Sequence, residues 1–305
     1  MNPVKRRLVI AGIISLSFVA AACGSDSKSS STAAPVVSDA PTSSTAAPAA
    51  DTTVAAVATT EGGATATTAA AAPATVDFSK LTGKLAGSGA TFPKSFYDDS
   101  IARLADIAPD LTVEYGGGGS GTGQTDLQAN LKDFVGSDGT VKAADVPKYT
   151  GGPFVYIPTV IAPITLSYNL PDVAKLQLSA TSVAAIFQRE ITKWNDPLVA
   201  ADNPGVTLPA TDIVVVVRAD PSGTTQNFTT FLEKAAGPDS GGAWKLGAAK
   251  DTSFPTDGTQ RGDGNSGVAQ IVSATNGAIG YVDLSDAKAN NLVLASVKNK
   301  AGKYV

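Results

Sequence analysis

Residues 213–225 read IVVVVRADPSGTT. Ile213 to Val217 form an unbroken β-branched run, which predicts a strand covered on both faces, as inside an α/β sheet. Arg218 follows, then a loop of Pro221, Ser222, Gly223 and Thr224, then a helical pattern bearing Phe228, Phe231 and Leu232. The same order occurs twice upstream. Leu81 to Ala86 enters GSGATFP (Gly87–Pro93), followed by Phe96, Tyr97, Ile101, Leu104 and Ile107 at the spacing of one helix face. Leu111 to Tyr115 alternates like a strand and enters a glycine-rich loop, and Gln124 to Leu131 reads as the next helix. Pro158 to Leu170, interrupted by Pro163, and Gly277 to Val282 read as further strands. Thr181 or Ser182 can cap a helix that buries Val183, Ile186, Phe187 and Ile191. Strands alternating with helices predict an α/β fold with a largely parallel sheet.

Such folds gather ligands where strands end and helices begin, because the first helical N–H groups lack partners and carry the positive end of the dipole. Glycine lets the backbone approach and hydroxyls add donors. One loop of this kind is often just a helix cap, but three, one of them next to Arg218, point to an oxyanion site. Gly118 to Thr125, GGSGTGQT, matches a P-loop except that Gln124 stands in place of the lysine, which argues against nucleotide hydrolysis. A dinucleotide fingerprint on the same glycines lacks a convincing acidic partner.

Lys5, Arg6 and Arg7 precede an apolar run from Leu8 to Ala22, the pattern of a secretory signal over residues 1–22. It ends at Ala-Ala-Cys-Gly with Cys23, the single cysteine of the chain, so no internal disulfide can form. The motif looks like a bacterial lipobox with Ala20 where leucine is usual, and two acyl chains on Cys23 would give a stable lipid anchor. Residues 23–75 are then expected to be a lipid anchor and a disordered Ala/Thr/Ser/Pro linker, for residues 24–75 contain no Phe, Trp, Tyr, Leu or Ile. Loss of the signal removes three basic and no acidic residues and takes the formal net charge from −4 to −7. A chain of that charge is a poor partner for nucleic acid, and any anion site on it must be local. The chain has no histidine, which excludes Ser-His-Asp and Cys-His triads and histidine zinc sites. Neither a metal nor a cofactor is expected, nor an enzyme activity.

The loops, in this order, resemble the substrate-binding proteins of bacterial phosphate ABC transporters, the PstS family. The resemblance rests on GSGATFP at Gly87–Pro93, GSGTG at Gly119–Gly123 and DFVGSD at Asp133–Asp138. It continues through ITKWNDP at Ile191–Pro197, VVRADPSGTT at Val216–Thr225 and NGAIGYV at Asn276–Val282. It implies a two-lobe periplasmic-binding-protein-like (type II) fold, hinged around one dehydrated phosphate, with lobe 1 at 76–157, lobe 2 at 158–305 and a crossover near Pro158. The implied phosphate ligands are Thr91, Phe92 through its backbone N–H, Ser120, Asp138, Arg218, Ser222, Gly223 and Thr224, with Asp220 pairing the arginine. The implied partners are inorganic phosphate, an ABC transporter permease, and the membrane through Cys23. The resemblance also implies a segment that returns to the first lobe. The sequence ends at Val305, so that lobe is expected to be incomplete, with few strands and a poorly covered core.

Asp138 carries the selectivity argument. A carboxylate facing an anion is repulsive unless the anion has a proton to donate, which phosphate near neutral pH has and sulfate lacks. Two opposed acceptors in a dry cavity can discriminate by roughly 10⁴ or more. The other readings are a receptor for a different tetrahedral oxyanion, a secreted phosphatase-like hydrolase, and a lipid-anchored surface protein that kept the fold and lost the site.

Overall fold

The computed structural model describes residues 76–305; the signal, the anchor at Cys23 and the linker lie outside the described residues. The chain forms two sheets in succession. The first is built from β1 (Gly83–Gly89), α1 (Lys94–Ile107), β2 (Leu111–Gly118), α2 (Gly119–Gln128) and β3 (Phe134–Gly136). Its three strands run parallel in the order β2-β1-β3. After residues 151–163 the second sheet begins with β4 (Ile164–Tyr168), β5 (Gln177–Leu178), α3 (Ala180–Phe187) and α4 (Pro197–Asp202). It continues with β6 (Val214–Arg218), α5 (Gly223–Ala236), β7 (Thr259–Gly262), α6 (Gly264–Ala274), β8 (Ala278–Asp283), α7 (Leu284–Ala289) and β9 (Val293–Val297). The strand order is β5-β9-β4-β8-β6-β7.

Strand β6 behaves as its composition requires. Val215 and Val217 face a core with Phe187, Trp194, Phe228, Leu232 and Tyr281, while Val216 faces another with Val268, Val272 and Val282. A strand covered on both faces cannot place a polar residue on either, hence the valine run. Phe228 stacks on Tyr281 at 4.5 Å and 21°, and Phe187 packs edge-on to Phe228 at 4.8 Å. This aromatic cluster braces α5 against the sheet below the loop that follows β6.

The first sheet is thinly covered. Helix α1 has no buried residue, and Phe96 and Ile107 are exposed. Among the described residues, strand β3 pairs with β1 on one side only and residues 153–163 pair with no strand. Val155, Ile157 and Ile161 are 81%, 77% and 96% exposed. A cleft of about 970 Å³ is lined by residues 132–138 and by residues 151–157 and 159–162.

Several sequence expectations need correcting. The second sheet is mixed rather than largely parallel, because β4 runs antiparallel to both β8 and β9. Of Pro158 to Leu170, only Ile164–Tyr168 is strand. Pro158 and Pro163 lack a ladder donor, and among the described residues the segment between them has no strand to pair with. Helix α2 starts at Gly119 rather than Gln124, so the glycine loop is itself the first turn. Ser179, not Thr181 or Ser182, caps α3, its side chain accepting from the Ser182 N–H at 3.2 Å. Ile191 is buried but lies beyond that helix.

Candidate oxyanion-binding site

Three strand-to-helix turns and the turn after β3 converge. Thr91 and Phe92 follow β1, Ser120 sits in the first turn of α2, and Asp138 follows β3. From the second sheet come Arg218 at the end of β6, Ser222 as the N-cap of α5, and Gly223 and Thr224 in its first turn. Ser120, Ser222, Thr224 and Arg218 are all buried.

Asp138 binds the two halves together. Its N–H donates to Ser120 Oγ at 3.2 Å, and Thr224 Oγ1 donates to its carboxylate at 3.4 Å. Burial pushes the Asp138 carboxyl above the usual carboxylate range, against the lowering effects of the Arg218 charge and the Ser120 and Thr224 hydrogen bonds. Gly223 is required here for space. A Cβ at that position would lie 2.5 Å from Ser120 Oγ and 2.7 Å from Asp138 Cβ.

Arg218 is held side-on. Its Nε donates to Asp220 Oδ1 at 2.7 Å and its Nη2 to Asp220 Oδ2, while Nη1 donates to Asn265 Oδ1 at 3.3 Å. Three of its five N–H groups are thus engaged and two remain for a ligand. Burial works to raise the Asp220 carboxyl. The Arg218 hydrogen bonds and charge, with the Gly264 N–H, outweigh it and hold that carboxyl below its ordinary value. Tyr281 supports both elements from below. Its hydroxyl receives the Arg218 backbone N–H at 3.3 Å and shares a hydrogen with Thr225 Oγ1 at 2.7 Å. Full burial pushes that phenol up to about 12.

Asn265 is the contributor that sequence reasoning missed. It lies fully buried in the first turn of α6. Its backbone N–H and its Nδ2 both donate to Thr91 Oγ1 at 3.3 Å, and Nδ2 also donates to Asp283 Oδ2. These bonds fix the amide orientation, since Oδ1 must face the Arg218 donor. They also fix the polarity of Thr91: an oxygen that accepts twice keeps its own proton to donate outward. Asp283, behind Asn265, is raised to about 7 by burial, then by the charges of Asp138 and Asp286. The signal was present in GDGNSG at residues 262–267, a fourth glycine-rich turn into a helix.

The nine residues singled out from the sequence for the site are therefore grouped, with Phe92 lining the large cleft beside Asp138 and Thr224. Of the nine, only Phe92, Asp138 and Thr224 line that cleft, which far exceeds the size of one tetrahedral oxyanion. The arrangement offers hydroxyl and guanidinium donors around one carboxylate acceptor, which suits a small oxyanion that itself carries a proton. Among the described residues no group of histidine, cysteine, aspartate or glutamate is placed to hold a metal ion.

The family model of the PBP superfamily domain matches residues 42–305. The phosphate-binding protein PstS of Pasteurella multocida is 38% identical over 228 residues, which cover 72% of this chain and 62% of that protein. The phosphate-binding protein PstS of Haemophilus influenzae is 37% identical over 235 residues, covering 76% and 67%. The chain thus spans about three-fifths to two-thirds of the length of these curated relatives. The crystal structure of a phosphate-binding protein from Stenotrophomonas maltophilia aligns with a TM-score of 0.56 at 24% identity, over 72% of this chain and 65% of that one.

Proposed function

This chain belongs to the PBP superfamily and, within it, to the PstS family, and from that membership we propose that it seats one inorganic phosphate between its two sheets. Arg218, Thr91, Ser120 and Ser222 donate to the anion, as does Thr224 once its hydroxyl turns from Asp138; the backbone N–H groups of Phe92 and Gly223 complete the shell, and Asp138 accepts the phosphate proton. Asp220 holds the arginine in register. The observation that carries this reading is the half-buried Asp138, joined to Ser120 on its own side of the seam and to Thr224 across it. An acceptor among donors selects a protonated oxyanion.

The role is binding rather than catalysis. The phosphate-loaded form is handed to an ABC transporter permease outside the cytoplasm, and Cys23 carries the lipid that keeps the protein at the membrane. The hinge lies near Pro158, between 76–157 and 158–305, so that one ligand bridging both halves favours the closed state.

Calorimetric titration of the phosphate-stripped protein tests the central claim. Phosphate should bind tightly and excess sulfate should not compete. Asp138→Asn should admit sulfate while weakening phosphate. A folded protein that binds neither anion, or binds both alike, refutes the reading. Incorporation of a labelled fatty acid, abolished by Cys23→Ser, tests the anchor.

A further inference from the structure

Gln124 stands where a P-loop would have its lysine, and an amine reaches it from elsewhere in the fold. Lys250, in the loop between α5 and β7, donates from Nζ to Gln124 Oε1. The other end of the same amide is occupied, Nε2 donating to Ser137 Oγ at 3.0 Å and to the Gly139 carbonyl at 3.1 Å. Gln124 therefore grips the turn that carries Asp138. The Lys250 carbonyl in turn accepts the Ser222 N–H at 2.9 Å, so Lys250 grips the N-cap of α5. One hydrogen bond thus joins the two halves of the site through the segments that position them.

We propose that Lys250 and Gln124 form a latch across the seam, outside the ligand shell, which sets how fast the closed protein releases its oxyanion. Two features separate this contact from an ordinary surface hydrogen bond. Lys250 forms no ion pair with a carboxylate among the described residues, although its surroundings include Asp138, Asp145 and Asp251 as well as Lys142. A neutral amide holds the cation, so the bond is directional and is lost when the sheets separate by a few ångström. It also stands beside two other links across the seam. The Gly121 N–H donates to the Pro221 carbonyl and Asn227 Nδ2 donates to the Asp138 carbonyl, each at 2.9 Å. Glycine at 121 allows that approach, for a Cβ there would meet the Pro221 Cβ at 2.5 Å.

The inference rests on the phosphate reading for its ligand, but the latch itself can be read without one. In stopped-flow measurements, Lys250→Met should speed phosphate release about tenfold, the pattern of a contact that holds the closed form. Gln124→Leu should act similarly, and the double variant should release no faster than the faster single one. In ligand-free protein, hydrogen exchange at the Gly121 amide should quicken in both variants. Additive effects, an effect confined to association, or unchanged release and exchange would each overturn the latch. If the natural protein binds no phosphate, exchange alone decides. A faster Gly121 amide in Lys250→Met then upholds the latch and sinks the phosphate reading; an unchanged amide sinks both.

Discussion

At the residue scale the site is governed by which atoms are already spent. Asn265 has its amide engaged by Thr91, Arg218 and Asp283, so its value to a ligand is indirect: it turns the Thr91 hydroxyl outward and holds the guanidinium. Asn265→Ala should weaken phosphate binding about tenfold to a hundredfold in calorimetry, since it leaves two groups of the shell free to rotate. Asp283 gives a second prediction, with a definite sign. Its carboxyl is raised from 3.8 to about 7 in the folded protein, so between those pH values the folded state holds a proton that the unfolded state has released. Stability should therefore fall as pH rises from about 4 to about 7. Denaturant unfolding of Asp283→Asn across that window should show a flatter profile than the natural protein. An identical slope would mean that Asp283 is ionised in the fold.

At the element scale the first turn of α5 packs directly against the other half of the site. Gly223 opens a helix, where alanine is worth about 0.5–1 kcal/mol more than glycine, and its φ is not in the left-handed region. Yet its added methyl would strike Ser120 and Asp138 on the opposite element. Gly223→Ala should thus lower the melting temperature as well as reduce phosphate affinity at least tenfold, as read by thermal unfolding with and without phosphate. Strands β2 and β6 were legible because alternation or a β-branched run reflects which faces are covered. The start of α2 was not. Glycines at 119, 121 and 123 are poor helix formers, but a side chain at them would meet Asp220, Pro221 and the Gly89 backbone, so packing overrides propensity. Asn265 escaped notice for a related reason. The strand before it, β7, reads TQRG, and as an edge strand with one neighbour it needs no apolar run.

At the scale of the whole molecule the two sheets are unequally protected. The second is enclosed by two apolar cores, whereas the first has an unpaired β3 edge and the exposed side chains of Val155, Ile157 and Ile161 beside it. Unpaired edges and contiguous apolar surface invite dye binding and self-association. An anilinonaphthalene dye should bind the folded protein, and a Val155→Asp, Ile161→Asp double variant should lose most of that fluorescence while keeping its phosphate affinity. The pairing of Arg218 with Asp220 has a different consequence. Because the guanidinium charge is already met by a carboxylate, the proposed capture of an anion would rely on short hydrogen bonds inside a buried seam rather than on net charge. Mobile ions screen charges that act across solvent and have little purchase on contacts of that kind. The affinity should therefore change by less than about twofold as sodium chloride rises from about 0.02 to about 0.5 M, a range over which a site held by uncompensated charge weakens steeply. A protein built this way would scavenge its anion equally well from fresh water and from brine.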